Sequence, residues 1–277
     1  MQTNQSLAAA QTWSRATGAE LRAAIRAGEL TGPTAGLARG FVQANLVILP
    51  AADAAEFAEF CRLNPRPCPL LEQTSPGDPE PRGCAPGADF RSDVPRYRVF
   101  RHGVSESLEP TDIRHLWRDD LVSFLLGCSF TFENALIDEG FAVRHITEGR
   151  NVPMYRTSVE CQPAGRFRGN LVVSMRPYPA AAVERVAEIT GRFPTMHGAP
   201  VHVGDPRVLG IDDLSRPDFG EAVTTGAGDV PMFWACGVTP QVALCQAGCE
   251  LAITHSPGSM FVTDWRDTDR QITNSNG

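Results

Sequence analysis

Lysine is absent from this chain, so all 25 of its basic residues are arginine. Enzymes that use pyridoxal phosphate or a Schiff base need a lysine amine, and the phosphate-binding P-loop needs its own lysine, so these classes are excluded. The motifs HExxH, GxSxG and GxGxxG are also missing, and nothing indicates zinc proteolysis, serine hydrolysis or dinucleotide chemistry. Arginine is left as the side chain that binds carboxylates through two parallel hydrogen bonds.

The chain also lacks basic clusters and long apolar runs. A net charge of −7 without a basic patch argues against nucleic acid as a partner. No segment approaches the roughly 20 consecutive apolar residues of a membrane span. The first residues, MQTNQSLAAAQTWSR, have neither the basic start nor the apolar core of a secretory signal. We therefore expect a cytoplasmic protein without a membrane partner, and a homodimer only because dimers are the commonest oligomers.

The eight cysteines form no CxxC pair. Without an export signal, reduced thiols are expected. Cys245 and Cys249 lie four residues apart, but no matching ligands follow at zinc spacing. The sequence therefore predicts neither a metal nor another cofactor.

The stretch PMFWACGVTPQVALCQAG at 231–248 predicts a buried strand, a short turn and a helix. The run MFWA has the length of a buried strand. Thr239 and Pro240 suit the N-cap and the first position of a helix. The turn holds Cys236, and a helix N-terminus at that place is expected to bind anions and to lower the pKa of a thiol.

A second stretch, CSFTFENALIDEG at 128–140, echoes this pattern after another apolar strand. Both copies read C-x-x-T-x-[EQ]-x-A-L-x-x-x-G, so that Cys128 corresponds to Cys236 and Glu133 to Gln241. The echo indicates two equivalent strand–turn–helix units, or else a chance match between common residues.

The order of the remaining patterns indicates an α/β protein of two parts. Residues 1–140 and 225–277 are predicted to form a three-layer α/β/α main domain that holds both cysteine turns. Residues 141–224, beginning with a strand pattern at 141–146, are predicted to form an inserted two-layer α+β domain. A cleft between the two domains is the expected ligand site.

Four residues are candidates for catalysis. The thiols of Cys236 and Cys128 could act as nucleophiles or as general acids and bases, although buried cysteines near strand ends are often inert. Glu133, near the start of its helix, could exchange a proton or simply complement the helix dipole. His255 follows a buried strand, which is a suitable place for a proton carrier.

Five residues are candidates for binding a carboxylate. Arg156 and Thr157 put a guanidinium and a hydroxyl on one predicted strand. Arg166 lies in the glycine-containing turn QPAGRFRG, which could approach a ligand. Thr239 and Gln241 lie at the predicted helix start, where either could bind substrate or serve only as a cap.

Four runs of the chain together resemble the putative hydro-lyase family of bacteria, which is related to part of the D-glutamate cyclase proteins. They are NVPMYRTSVECQPAGRFRGNLVVSMRP, FWACGVTPQ, GCSFTFE and ITHSPGSMFVTD. The resemblance covers nearly the whole chain. It implies an α/β protein of two subdomains with carbon–oxygen lyase activity that removes water, and it supplies no catalytic residues.

We therefore expect a hydro-lyase that acts on a small carboxylate, such as one derived from an amino acid. Arg156 and the helix at Thr239 would hold the carboxylate, a thiol or Glu133 would take a proton, and His255 would protonate the departing hydroxyl. One alternative is a cofactor-independent racemase or epimerase that uses Cys128 and Cys236 on opposite faces of one carbon. Another is a non-enzymatic protein that binds a small acid.

Overall fold

The structure is a computed structural model that describes residues 12–272. The helices within that range are α1 (Gly18–Arg26), α2 (Ala51–Leu63), α3 (Phe130–Asp138), α4 (Arg144–Thr147), α5 (Val183–Gly191) and α6 (Thr239–Ala247). The strands are β1 (Phe41–Pro50), β2 (Leu70–Gln73), β3 (Tyr97–Arg101), β4 (Val104–Ser105), β5 (Leu121–Gly127), β6 (Met154–Glu160), β7 (Asn170–Pro179), β8 (His202–Val203), β9 (Asp229–Ala235), β10 (Ala252–His255) and β11 (Phe261–Arg266).

The first sheet is antiparallel and is built around β1. Its strands follow the order β2-β5-β1-β10-β3-β4, and β11 pairs with a second part of β1. Because β10 and β11 share one edge of β1, the chain between them, 256–260, leaves the sheet in the middle of that edge. At this interruption Nδ1 of His255 lies 3.2 Å from the backbone nitrogen and 3.3 Å from the carbonyl oxygen of Leu46, where a neighbouring strand would otherwise pair.

The second sheet is also antiparallel, in the order β6-β7-β9-β8. It shares a core with the first sheet, because Val47 and Phe124 of the first sheet pack in one cluster with Val173 and Phe233 of the second. Helix α2 adds Phe57, which makes an edge contact with Phe124 at 4.9 Å. Aromatic pairs of this kind stabilise a core beyond the area that they bury.

The prediction of mixed helix and sheet is confirmed, but the three-layer arrangement is not. The opposite face of the first sheet is covered by the irregular segment 84–96, from which Phe90 and Val94 are fully buried beside Ile48. This segment therefore packs on the sheet and takes the position that a helix layer would occupy.

The domain boundaries stay a prediction. Strand β9 lies outside the predicted insertion, yet it pairs with β7 inside it, with Val173 opposite Ala235. The second sheet thus draws on both predicted parts of the chain.

The predicted strand at 141–146 is wrong. The structure has a loop there, followed by the single-turn helix α4 at Arg144–Thr147. Within that turn His145 is 1% exposed and its Nε2 lies 3.3 Å from Glu133 Oε1. A tertiary contact has overridden the local alternation of apolar and polar residues.

Helix α1 begins at a side-chain cap. Thr17 and Glu20 form a capping box, in which each residue accepts a hydrogen bond from the backbone of the other. No helix between residues 12 and 272 is long and apolar enough to cross a membrane.

Candidate functional site

The turns that follow β5 and β9 line one small cavity. The polar and small residues around it that bear on chemistry are Asn45, Cys128, Ser129, Cys236, Gly237 and His255. Its volume is about 20 Å³, which is room for one water molecule. Among residues 12–272, no arginine, aspartate or glutamate lines it. The site is therefore a small, uncharged space between two helix starts.

The two turns are structurally equivalent. Thr131 Oγ1 accepts from the N–H of Gln43 at 3.1 Å and donates to its carbonyl at 3.3 Å. Thr239 Oγ1 accepts from the N–H of Val172 at 3.0 Å and donates to its carbonyl at 3.3 Å. Each threonine thus ties its turn to the strand beside its own. The sequence echo is confirmed as a structural repeat.

The cysteines, and not the threonines, supply the first hydrogen bonds of the two helices. Cys128 Sγ accepts from the N–H of Phe130 at 3.5 Å, and Cys236 Sγ accepts from the N–H of Val238. The prediction that Thr239 is an N-cap is wrong, because Val238 precedes the helix and Thr239 bonds to Val172 instead. Both thiols therefore lie at the positive end of a helix.

Burial nevertheless keeps both thiols protonated. It raises the pKa of Cys236 to about 11, against the opposing effects of the Val238 N–H and the charge of Arg176. Burial also raises the pKa of Cys128, again against a backbone N–H. The expectation that the helix N-terminus lowers these pKa values is wrong for this structure, since loss of hydration outweighs the helix dipole.

His255 reaches the cavity from the interruption in the first sheet. Its Nδ1 is occupied by the backbone of Leu46, and within residues 12–272 no hydrogen bond is recorded for Nε2. Burial lowers the pKa of this imidazole to about 4, so the ring is neutral at pH 7. Nδ1 lies 3.3 Å from the carbonyl oxygen of Leu46, and in the tautomer in which Nδ1–H donates to that oxygen, Nε2 carries a lone pair that can accept a proton.

His197 also lines the cavity and is under backbone strain. It follows the 3-10 turn Pro194–Met196 with φ of 77°, a left-handed conformation that is uncommon for residues other than glycine. Its Nδ1 lies 2.6 Å from the carbonyl oxygen of Arg66. Burial lowers its pKa to about 4. Strained residues cluster at functional sites, where the surrounding structure holds them in place.

A buried ion pair lies behind the cavity wall. The guanidinium of Arg176 bonds to Glu133 through both Nε and Nη2, and Nη2 also donates to Ser129 Oγ at 3.0 Å. Arg176 and Glu133 are each 1% exposed. Burial alone would raise the pKa of Glu133, but the charges of His145 and Arg176 lower it. Glu133 is therefore a carboxylate that compensates an arginine.

A family model and several relatives match most of this chain or a large part of it. The family model for D-glutamate cyclase matches residues 122–264. A protein of Rubrobacter xylanophilus named "Putative hydro-lyase" is 60% identical over 254 residues, which are 92% of this chain and 98% of that protein. The chain belongs to this family. A protein of the same name from Stutzerimonas stutzeri is 59% identical over 249 residues, 90% of this chain and 94% of that one.

A Bacillus licheniformis protein, also named "Putative hydro-lyase", is 58% identical over 248 residues, with the same coverage of 90% and 94%. Both cysteine turns fall within the part matched by the D-glutamate cyclase model.

Three of the predicted binding residues of this D-glutamate cyclase family member lie away from the cavity. Arg156 is exposed, 3.8 Å from Asp218 Oδ1 and stacked near Phe219. Arg166 is exposed and pairs with the buried Asp53 at 2.9 Å. Thr157 is buried and donates to the carbonyl of Leu171 at 2.8 Å. The structure does not bring these three side chains to the thiols.

Two other predicted binding residues are close to the cavity but face inward. The hydroxyl of Thr239 is hydrogen-bonded to the N–H and the carbonyl of Val172. Gln241 donates from Nε2 to the carbonyl of His255 at 3.1 Å, and its buried Oε1 has no hydrogen-bond partner within residues 12–272. Gln241 thereby supports the backbone of His255.

Sequence reasoning missed Asn45 and the role of Arg176. Asn45 lies in a strand that is buried at every position, and two amides interrupt its apolar run FVQANLVILP. A polar side chain in such a strand needs a hydrogen-bond partner, so the amide in this apolar run could have marked Asn45 as a candidate site residue. Residues 12–272 contain no group of three or more metal-binding side chains close enough to hold a metal ion.

Proposed function

We propose that this D-glutamate cyclase family member is a hydro-lyase that removes water from a small carboxylate in the cavity between the two cysteine turns. The names of the relatives support the reaction class. The observation that carries the proposal is the convergence of Cys128, Cys236 and His255 on one cavity at two helix N-termini. Groups that exchange protons and donors that stabilise an anion are what a dehydration requires.

The protonation states favour His255 as the base and a thiol as the acid, which reverses the roles that the sequence suggested. The neutral imidazole of His255 is able to take a proton from the carbon beside the carboxylate. The electron pair of that C–H bond then forms the new double bond as the C–O bond breaks. A protonated thiol, Cys236 or Cys128, gives its proton to the departing hydroxyl, which leaves as water.

Substrate entry requires the cavity to enlarge, because about 20 Å³ holds no more than a water molecule. Val152 and Gly258 line it from loops that flank β6 and β11. Loops are the parts of a fold that move most easily, and loop opening is a common step before catalysis.

The test is an NMR assay of the purified protein with a panel of small amino and hydroxy acids. A hydro-lyase forms a dehydrated product and water. We expect His255→Gln to lower turnover by at least 100-fold, and Cys236→Ser or Cys128→Ser to do the same for whichever thiol is the acid. Cys245→Ser is the matched control, because Cys245 is exposed on α6 and outside the cavity, and it should leave turnover unchanged. Full activity in a cavity variant would remove that residue from the mechanism.

A second candidate, a two-cysteine racemase or epimerase, is favoured by one observation. Cys128 and Cys236 occupy equivalent positions of the repeat and line the same cavity. The same assay in D₂O separates the two reactions, because racemisation exchanges the α-proton for deuterium without loss of water. Stabilisation by an acid with neither reaction would instead favour the binding-protein alternative.

A further inference from the structure

The orientation of the Asn45 amide is fixed by the wall of the cavity. Its Nδ2 donates to the carbonyl of Gly127 at 2.6 Å. The reversed amide is excluded because two oxygens would then meet at that distance. Oδ1 is therefore the atom left for the cavity, and the structure records no donor to it within residues 12–272. Asn45 is 3% exposed and lines the cavity, so a donor for this oxygen has to come from a molecule inside the cavity, either water or a ligand.

Gly237 makes room for this amide. A Cβ at position 237 would lie 2.1–2.3 Å from the amide atoms of Asn45, closer than any real contact. The equivalent position in the first turn is Ser129, whose hydroxyl accepts from Arg176. The two turns therefore differ at the residue after each cysteine. In the second turn that residue is glycine, and the missing side chain leaves space for the Asn45 amide.

The same two residues offer backbone donors. No acceptor within residues 12–272 is recorded for the N–H of Ser129 or of Gly237, whereas the next N–H in each turn binds a cysteine sulfur. Each turn leads into a nine-residue helix. Unpaired N–H groups at the N-termini of two helices favour the binding of an anion. Because no charged side chain among residues 12–272 lines the cavity, these backbone groups are the donors available to an anion there.

We propose that the cavity recognises a small 2-amino or 2-hydroxy acid. The N–H groups of Ser129 and Gly237 bind its carboxylate, and Asn45 Oδ1 accepts a hydrogen bond from its amino or hydroxyl group. This inference rests on the proposed function and names its substrate class. A 2-oxo acid is rejected, because its carbonyl would face Oδ1 as a second acceptor and leave both oxygens unpaired.

Matched acids that differ at one atom test the inference. For chains of three, four and five carbons, the 2-amino, 2-hydroxy and 2-oxo acids are compared by thermal stabilisation and calorimetry on the full-length protein, with both enantiomers of the first two. We expect an amino or hydroxy acid to bind at least tenfold more tightly than the oxo acid of the same chain. In Asn45→Ala this preference should disappear.

Gly237→Ala provides a second variant, because its Cβ displaces the Asn45 amide from a different direction. It should lose the same preference, and circular dichroism would verify that both variants are folded. Equal binding of amino, hydroxy and oxo acids by the wild-type protein would overturn this inference and leave the hydro-lyase proposal standing. The absence of binding and turnover with every acid would overturn both.

Discussion

Thr131 and Thr239 lie 108 positions apart in the chain and hold their turns by the same pair of hydrogen bonds, each to the N–H and carbonyl of one residue on a neighbouring strand. Both side chains are buried. The equivalence explains why two distant cysteines reach one cavity: the same local geometry positions each of them, and the sheets bring the two copies together.

Thr131→Val and Thr239→Val should destabilise the protein by similar amounts, about 1–3 kcal/mol each. Valine keeps the shape of threonine but leaves a buried N–H and carbonyl of the neighbouring strand with one partner fewer. Urea unfolding measures the change. Thr147→Val is the control, because Thr147 is exposed and bonds only within its own helical turn. A large loss at one buried site and none at the other would contradict the equivalence.

Breaking the buried ion pair should be costly. Arg176→Met or Glu133→Gln alone is expected to lower the free energy of unfolding by about 3–5 kcal/mol, because each leaves an uncompensated partner in the core. The double variant should lose less than the sum of the two, which a double-mutant cycle in urea would reveal. The surface pair of Arg62 and Glu59 gives a control in Arg62→Met, which should change stability little. Additive losses would show that the two side chains do not act as a pair.

Stability should fall as the pH is lowered from 7 to 5. Burial holds the pKa of His255 and of His197 near 4, below the value of about 6.5 in the unfolded chain. Between these values the unfolded state binds more protons, so each histidine contributes a loss of about 2 kcal/mol over this interval. Urea unfolding at the two pH values measures it. His255→Gln should show a shallower pH dependence than the wild-type protein, and an equal dependence would contradict the pKa of His255.

The cavity thiols should react slowly with iodoacetamide. With the pKa of Cys236 near 11, little thiolate is present at pH 8, and alkylation should accelerate about tenfold for each pH unit between 7 and 10. Peptide mass spectrometry would follow Cys236 and Cys128 beside the exposed Cys245, which we expect to react at least 100-fold faster. In 8 M urea the three rates should converge. Rapid labelling of Cys236 at pH 7 in the folded protein would contradict a buried, protonated thiol.

Local patterns in the sequence predicted most elements near the site. The apolar runs before Cys128 and Cys236 are strands, and the helices after both cysteines lie where the pattern put them. These elements could be predicted because hydrophobic periodicity and strong turn residues act over a few positions. The structure of segment 141–146 could not be predicted in this way, since the contact of His145 with Glu133 competes with local preference there.

The binding residues show the limit of such reasoning. Arg156 and Arg176 both lie in strands of the second sheet, and by residue type each could bind a carboxylate. Arg156 faces solvent, whereas Arg176 is enclosed by Phe132, Trp234 and Glu133. Which face of a strand is buried depends on the neighbouring layer, and that layer is distant in sequence.

The sequence by itself determined the two cysteine turns, their helices, the family and the absence of lysine chemistry. Only the tertiary structure decided that both thiols share a cavity with His255 and Asn45, and that burial keeps the thiols protonated. The reason is physical: turns and helix starts are set by interactions over a few residues, whereas desolvation and the convergence of side chains depend on how the sheets pack.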